Sequence, residues 1–547
     1  MRIANLLIQT LKIHGVKYIF SLSGNQIMPI YDALIGSGIE LIHVRHEGEA
    51  VHMADAWGRL TGTPGIALLP AGPGFANSLS ATYVALMAES PVVILSGHAP
   101  LSTLGRGGFQ EMAQTEMASA VSKAAWLVRD PHQIKVDIQR AFTIVSDGRS
   151  GPVHLALPSD LLVADEPDEE RSLLTAASVQ DPIRVDSAFV GADFIERVLQ
   201  VAQIAQRPLV LAGPAVMRSD AFKRWATTFA EASLPLIGMD SPRGINDPAL
   251  GKFPAVLPQA DLLILLGKKL DFTLKMGQPP FVTDGTRIIQ VDADKAVLEL
   301  TQLNGDHLEI VELTQAEPTD VLVQLAQALD DCPLNLNKER WAADVLANVT
   351  CVPSEWSDWH SQPGEPLFSA EVGNAINRYL AGAENSILVS DGGEFGQWMQ
   401  ACVQTPYRVI NGGSGSIGNA IPFALAARLA FPDARIVACT GDGAFGFHPF
   451  AFDTAIRHQL PFVTVVGNDA RWNAEYQIQL RDYGADRVGN VDLLQTDYHD
   501  VVQALGGWGA CVTDVDSLQN ALITAGASGM PACINAMIRG EAAPTHS

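Results

Sequence analysis

Short unbroken apolar runs alternate along this chain with longer stretches whose apolar positions recur at helical spacing. Between residues 1 and 165 the runs YIFSL, IELIHV, GIALLP, PVVILSG and GPVHLALP read as strands. Their alternation with helical stretches predicts a parallel sheet covered by helices. The opening MRIANLLIQTLKIHG has helical spacing but neither a long apolar run nor a small-residue cleavage site, so it reads as the first domain helix. A second series, RPLVLAG, LPLIGM, ADLLILLG and RIIQVDAD, predicts a smaller Rossmann-like domain over 186–330 that lacks the Gly-rich phosphate fingerprint. A third series, NSILVSDGG, ARIVACTGDG, LPFVTVVGND and ACINAMI, predicts another domain over 364–547. The acidic, aperiodic stretch 166–185 and the stretch 331–363, with Pro333, Pro353 and Pro363, read as linkers. The expected fold class is α/β, with three Rossmann-like parallel-sheet domains.

Composition narrows the function classes. A chain of 547 residues is too long for one hydrophobic core. Its net charge of -24, with no local cluster of Lys and Arg, opposes nucleic acid and anionic membrane surfaces as partners. No run approaches the roughly 20 apolar residues that a membrane helix needs. The six cysteines are scattered without C-x-x-C spacing, which points away from zinc and disulfide frameworks and toward a reducing, cytoplasmic location.

The chemistry-bearing segment is ARIVACTGDGAFGFHPFAFDTAIRHQLPFVTVVGNDARW. One predicted strand ends at Gly441-Asp442-Gly443 and the next at Asn468-Asp469, so two carboxylates reach the carboxyl edge of a parallel sheet, where ligands bind. Two carboxylates, a backbone carbonyl and diphosphate oxygens make the all-oxygen shell that Mg²⁺ prefers. A lone G-D-G is more often a turn. Here the 27-residue spacing, closing on Asn468-Asp469, resembles the cofactor motif of thiamine-diphosphate enzymes, in which an Asn pair is usual. Further resemblances follow in chain order. The segment around Arg45-His46-Glu47 is similar to the R-H-E-x-x-A stretch of those enzymes, and PAGPGFANS is similar to their G-P-G-x-x-N turn. SDGGEFGQW lies where they bind diphosphate, and NGGSGSIGNAIP resembles their G-x-G-x-(large apolar)-G stretch.

Together these motifs resemble the acetolactate (acetohydroxyacid) synthase-like family over nearly the whole chain, close to the 2-hydroxyacyl-CoA lyase and benzaldehyde lyase branches. The resemblance implies pyrimidine-binding, central and diphosphate-binding domains in that order. It implies Mg²⁺ on Asp442, Asp469 and the Arg471 carbonyl. Glu47 would protonate N1' of the aminopyrimidine, with Glu49 as the weaker alternative. It places Pro73 and Asn77 near the pyrimidine, and Glu394, Phe395, Gly441, Gly443, Ala444 and Asn468 around the diphosphate. The Gly415 carbonyl would face the 4'-amino group, and Ile417 would lie under both rings. LGRGGFQEMAQTEMASAVSK is similar to a G-x-F-Q-E segment that would set Phe109 and Gln110 near a small-molecule substrate.

The resemblance further implies a homodimer or homotetramer whose active sites lie between subunits. It leaves FAD, an adenine nucleotide or neither open for the central domain, because GKKLDFTLKMG decides none of them. Three positions depart from true synthases: Thr273 stands where an arginine engages the second 2-ketoacid, Ile478 where a pocket tryptophan stands, and Ser159 where a lysine stands. The expected activity is a thiamine-dependent carbon–carbon lyase or ligase. The alternatives are a genuine acetolactate synthase, an FAD-dependent oxidase and a catalytically dead cofactor-binding subunit.

Overall fold

The computed structural model describes residues 1–165, 190–331 and 338–545; the expected linker over 166–185 lies outside them. The described strands form three sheets, parallel throughout. The first contains β1 (Tyr18–Ser21), β2 (Glu40–His43), β3 (Gly65–Leu69), β4 (Val92–His98), β5 (Ala124–Leu127) and β6 (Val153–Pro158). The second contains β7 (Pro208–Ala212), β8 (Leu236–Gly238), β9 (Leu262–Leu266), β10 (Arg287–Asp292) and β11 (Glu309–Gln315). The third contains β12 (Ser386–Ser390), β13 (Tyr407–Ile410), β14 (Arg435–Gly441), β15 (Val463–Asn468), β16 (Trp508–Val512) and β17 (Ala532–Met537).

The first sheet is ordered β2-β1-β3-β4-β6-β5 and the third β13-β12-β14-β15-β17-β16. Counted from its own first strand, the third therefore repeats the topology of the first. The second is ordered β11-β10-β9-β7-β8. Packing gathers the first and third sheets into one compact unit and puts the second in another.

Inside the first unit the helix Glu47–Thr61 lies against the helix Ala420–Ala430, and both are buried along most of their length. Small residues allow this closeness: Ala50, Ala54 and Ala56 on one helix, and Ala420, Ala424 and Ala427 on the other, are fully covered. Their one charged pair, Asp55 with Arg59, is also buried, and Arg59 Nη1 reaches across to donate to the Ile410 carbonyl at 2.6 Å. Arg59 also stacks over the Phe423 ring, 5.0 Å from its centroid.

The stretch 331–363 corrects an expectation. Residues 332–337 lie outside the described ones, but the rest is not plain linker, because a helix spans Glu339–Val349. Trp341 and Val345 from that helix are buried in the core of the second unit, and the Trp341 indole donates to the Pro208 carbonyl at 2.9 Å. Two buried positions one turn apart are too short a signal to stand out in the sequence. No helix among the described residues is long and apolar enough to cross a membrane.

Candidate functional site

In the third sheet the chain runs outward from β12 to β13 on one side and to β14 and β15 on the other. The strand order thus reverses between β12 and β14. At such a reversal the connections leave in opposite directions and open a crevice beyond the carboxyl ends of the strands. Residues 390–396 leave β12 there, residues 441–445 leave β14, and residues 468–473 leave the adjacent β15. Gly415 (φ +69°), Ile417 and Gly418 follow β13 in a loop ahead of the helix Ala420–Ala430.

Two acidic side chains dominate this edge. Asp442 is buried; one carboxylate oxygen accepts from the Gly443 amide at 2.8 Å, and the other, Oδ2, has no hydrogen-bond partner. Burial pushes its pKa up to about 6, against the pull of the Gly443 amide. Burial also raises Asp469, to about 7, helped by the neighbouring Asp442 charge and opposed by Arg471. A carboxylate pair that resists ionisation, with one oxygen unpaired, suits a hard divalent cation, which cancels both charges and supplies the missing partner. Among the described residues no group of three or more His, Cys, Asp and Glu converges. The Arg471 side chain is held over the Tyr476 ring, 4.4 Å from its centroid.

The remaining predicted residues of this edge take distinct places. Asn468 is fully buried; its amide donates to the Thr496 carbonyl and to Asn535, and its oxygen accepts from Ala470. It therefore fixes the turn that carries Asp469. Gly441 opens onto free space, whereas Gly443 lies under the Trp472 ring and Ala444 is buried. Ile417 packs against Gly392, joining the loop after β13 to the turn after β12. Glu394 receives a hydrogen bond from Gln397 at 3.2 Å. Phe395 turns inward, with its ring on Gly467 of β15, where a Cβ would sit 2.4 Å from it.

A second cluster occupies the corresponding edge of the first sheet, whose order reverses between β1 and β3. Glu47 opens its helix, is buried, and accepts from the Asn77 amide at 3.1 Å. Pro73 begins the short helix Pro73–Ala76, and Gly74 lies within contact of Glu47. Glu49 is differently committed: it accepts from the Arg45 amide and faces His448 Nδ1 at 3.4 Å. Gln110, in the left-handed region at φ +58°, accepts from Gln26 at 2.8 Å, while Phe109 is 73% exposed.

No hydrogen bond among the described residues joins Glu47 to Asp442 or Asp469; each belongs to the edge of its own sheet. Sequence reasoning passed over three residues. Asp391 is a fully covered carboxylate that binds three segments of the third-sheet edge. Its signal was the S-D-G-G turn itself, read only for Glu394 and Phe395. Gln26, in the short 3-10 helix Asn25–Ile27 that follows β1, lies in no motif. In the second unit, Lys268 is buried and donates to Thr273 Oγ1, so a cation sits beside the residue read as removing one.

Comparison with known proteins completes the picture. Residues 1–117 match the family described as thiamine pyrophosphate enzyme, N-terminal TPP binding domain. Residues 391–536 match thiamine pyrophosphate enzyme, C-terminal TPP binding domain. The chain is 29% identical to 2-hydroxyacyl-CoA lyase 2 of Homo sapiens, over 91% of this chain and 83% of that protein. It is also 29% identical to a probable acetolactate synthase of Mycobacterium bovis, over 98% of this chain and 96% of that one. With a probable acetolactate synthase large subunit of Methanocaldococcus jannaschii it shares 26% identity, over 88% of this chain and 83% of that one. Both TPP-binding domains are present, each holding one of the two clusters, and the chain belongs to the thiamine pyrophosphate enzymes.

Proposed function

We propose that this thiamine-diphosphate enzyme uses Mg²⁺ and makes or breaks a carbon–carbon bond in a 2-ketoacid, 2-hydroxyketone or 2-hydroxyacyl substrate. The observation that carries the reading is the carboxylate pair of buried Asp442 and half-buried Asp469 at the carboxyl edge of the third sheet, whose charges call for a divalent cation. Asp442, Asp469 and the Arg471 carbonyl would hold the metal. Gly441, Gly443, Ala444 and Asn468, with Glu394 and Phe395 from the turn after β12, would surround the diphosphate. Gly415 and Ile417 would support the rings. When bound, thiamine diphosphate supplies the electron sink for carbanion chemistry.

The chain's own residues have simpler tasks. Glu47 exchanges a proton with N1' of the aminopyrimidine, and Asn77 fixes the rotamer of that carboxyl through its 3.1 Å bond. Pro73 shapes the turn beside it. Gln110 and Phe109 meet the substrate; the exposure of Phe109 fits a surface covered by a second chain. Because Glu47 and the Asp pair occupy separate edges, the active sites belong between subunits of a homodimer or homotetramer. The five described cysteines are all free, which fits a reducing cytoplasm. We assign no flavin or adenine nucleotide to the central domain.

A second reading, acetolactate synthase, is favoured by the 29% identity to a probable acetolactate synthase of Mycobacterium bovis over 98% of this chain. One experiment separates the readings: incubate the protein with Mg²⁺, thiamine diphosphate and a panel of 2-ketoacids, 2-hydroxyketones and 2-hydroxyacyl-CoA esters, and identify products by mass spectrometry. Efficient acetolactate formation from pyruvate alone establishes the synthase. Turnover with none of the panel refutes both. A colourless preparation removes the flavin-dependent oxidase.

A further inference from the structure

The turn after β12 carries a buried carboxylate that has no ion pair among the described residues. Asp391 Oδ1 accepts from the Gly392 amide at 3.0 Å and the Gly418 amide at 2.9 Å. Its Oδ2 accepts from Thr440 Oγ1 at 3.2 Å and the Ala420 amide at 3.4 Å. These four donors come from three separate segments. Gly392 begins the turn that continues into Glu394 and Phe395. Gly418 and Ala420 close the loop that presents Gly415 and Ile417. Thr440 is the second residue before Asp442. Ile417 also packs on Gly392, but Asp391 is the side chain whose hydrogen bonds reach all three segments, which the chain order leaves far apart.

The chemistry of the hub requires an acid. All four neighbours donate, and a carboxylate offers lone pairs on both oxygens. An amide of the same shape would turn an NH₂ toward one pair of donors: facing Gly392 and Gly418 it loses both bonds, and facing Ala420 and Thr440 it loses the Ala420 bond while the Thr440 hydroxyl reverses to accept. Burial raises the Asp391 pKa and the four donors oppose it, so the group invests desolvation in satisfying this set and no other.

We propose that Asp391 is a positioning residue that sets the mutual register of the three segments and thereby governs how tightly thiamine diphosphate is held and how its rings lie. This rests on the reading of the third-sheet crevice as the diphosphate site. A residue that merely satisfied buried amides would lower the melting temperature when changed but leave cofactor affinity alone. A positioning residue, when changed, lowers cofactor affinity and alters the bound cofactor's environment beyond any loss of stability.

The test uses the full-length protein with saturating Mg²⁺. Thiamine diphosphate affinity is measured by titration calorimetry, the melting temperature is measured without cofactor, and near-ultraviolet circular dichroism reports the bound cofactor's environment. Asp391→Asn is expected to melt at a lower temperature without cofactor, to bind at least about 10-fold more weakly at a temperature where it is fully folded, and to show an altered dichroism band. Thr440→Val, which removes one donor, is expected to weaken binding less, and Thr440→Ser, which keeps the hydroxyl, to recover it. Wild-type affinity and dichroism in Asp391→Asn overturn the proposal. If Asp391→Asn does not fold, unchanged affinity in Thr440→Val overturns it instead. Failure of the wild-type protein to bind thiamine diphosphate overturns the functional reading itself, and the role of Asp391 with it.

Discussion

Two carboxyl groups, Glu47 and Asp469, carry the most direct tests. Glu47→Gln preserves shape and can keep the contact with Asn77, so the fold should persist while proton exchange with the cofactor stops. Loss of a general acid–base group costs about 10² to 10⁴ in rate, and the expected turnover falls by that much. Proton exchange at C2 of bound cofactor, followed by quenched-flow NMR, checks it; a wild-type exchange rate in the variant refutes the role. Asp469 and Asp442 make a pH prediction whose sign follows from their raised pKa values. A carboxyl whose folded pKa lies above its ordinary value contributes stability that is fully present below about pH 4. That contribution is lost as pH rises through about 6 for Asp442 and about 7 for Asp469. Metal-free protein should therefore melt at a lower temperature at pH 8 than at pH 5. Asp469→Asn should flatten that dependence and abolish the extra stabilisation by Mg²⁺ and cofactor at pH 8. Parallel pH profiles for the chelated wild type and the variant would remove the carboxylate pair as the cause.

At the scale of elements, the packed helices Glu47–Thr61 and Ala420–Ala430 join the two sheets of the first unit. Asp55 is 0% exposed and Arg59 5% in side-chain terms. Removing Arg59 alone strands a buried charge, which costs about 3 to 5 kcal/mol. Arg59→Met should lower the urea midpoint accordingly, and adding Asp55→Asn should recover part of the loss; a double variant no more stable than Arg59→Met contradicts this account. Which elements were legible follows from burial. The strands read from the sequence include β3, β4, β6, β7, β9, β12, β14, β15 and β17, which lie inside their sheets and are nearly continuous apolar runs. Those missed, β5, β11, β13 and β16, are all edge strands. Their residues are mostly half-exposed or exposed, as in EIVELTQ of β11, and carry neither a continuous apolar run nor a clean alternation.

Over the whole molecule, the proposed sharing of active sites between chains has a direct test, since Glu47 and the Asp pair stand at the edges of separate sheets. Glu47→Gln and Asp469→Asn chains are each inactive alone. Refolded together at equal amounts, half the dimers are mixed, and each mixed dimer keeps one intact site. Activity should return to about a quarter of wild type, and a mixture that stays inactive places both residues in the same chain's site. The proposed preference for acceptors other than a second 2-ketoacid has its own test. Thr273 lacks the bidentate pair that an arginine offers a second carboxylate, a loss of about 1.5 to 3 kcal/mol, or roughly one to two orders of magnitude in acceptor selection. The Lys268 ammonium beside it donates to the Thr273 hydroxyl. Acetolactate formation should therefore lag the best 2-hydroxyketone or 2-hydroxyacyl reaction by that factor.

The sequence by itself determined the class of fold and the interior strands and singled out Glu47, Asp442 and Asp469 as candidates, because continuous apolar runs and a G-D-G spaced from N-D are local patterns. Tertiary structure alone decided the rest. Strand order, which no local pattern encodes, makes the third sheet repeat the first and opens a crevice between β12 and β14. Long-range hydrogen bonds make Asp391 the hub of three segments, since its donors lie up to 49 residues away. Burial turns Phe395 into the core against Gly467 and leaves Phe109 bare. Those outcomes depend on which distant residues meet, and chain order does not record that.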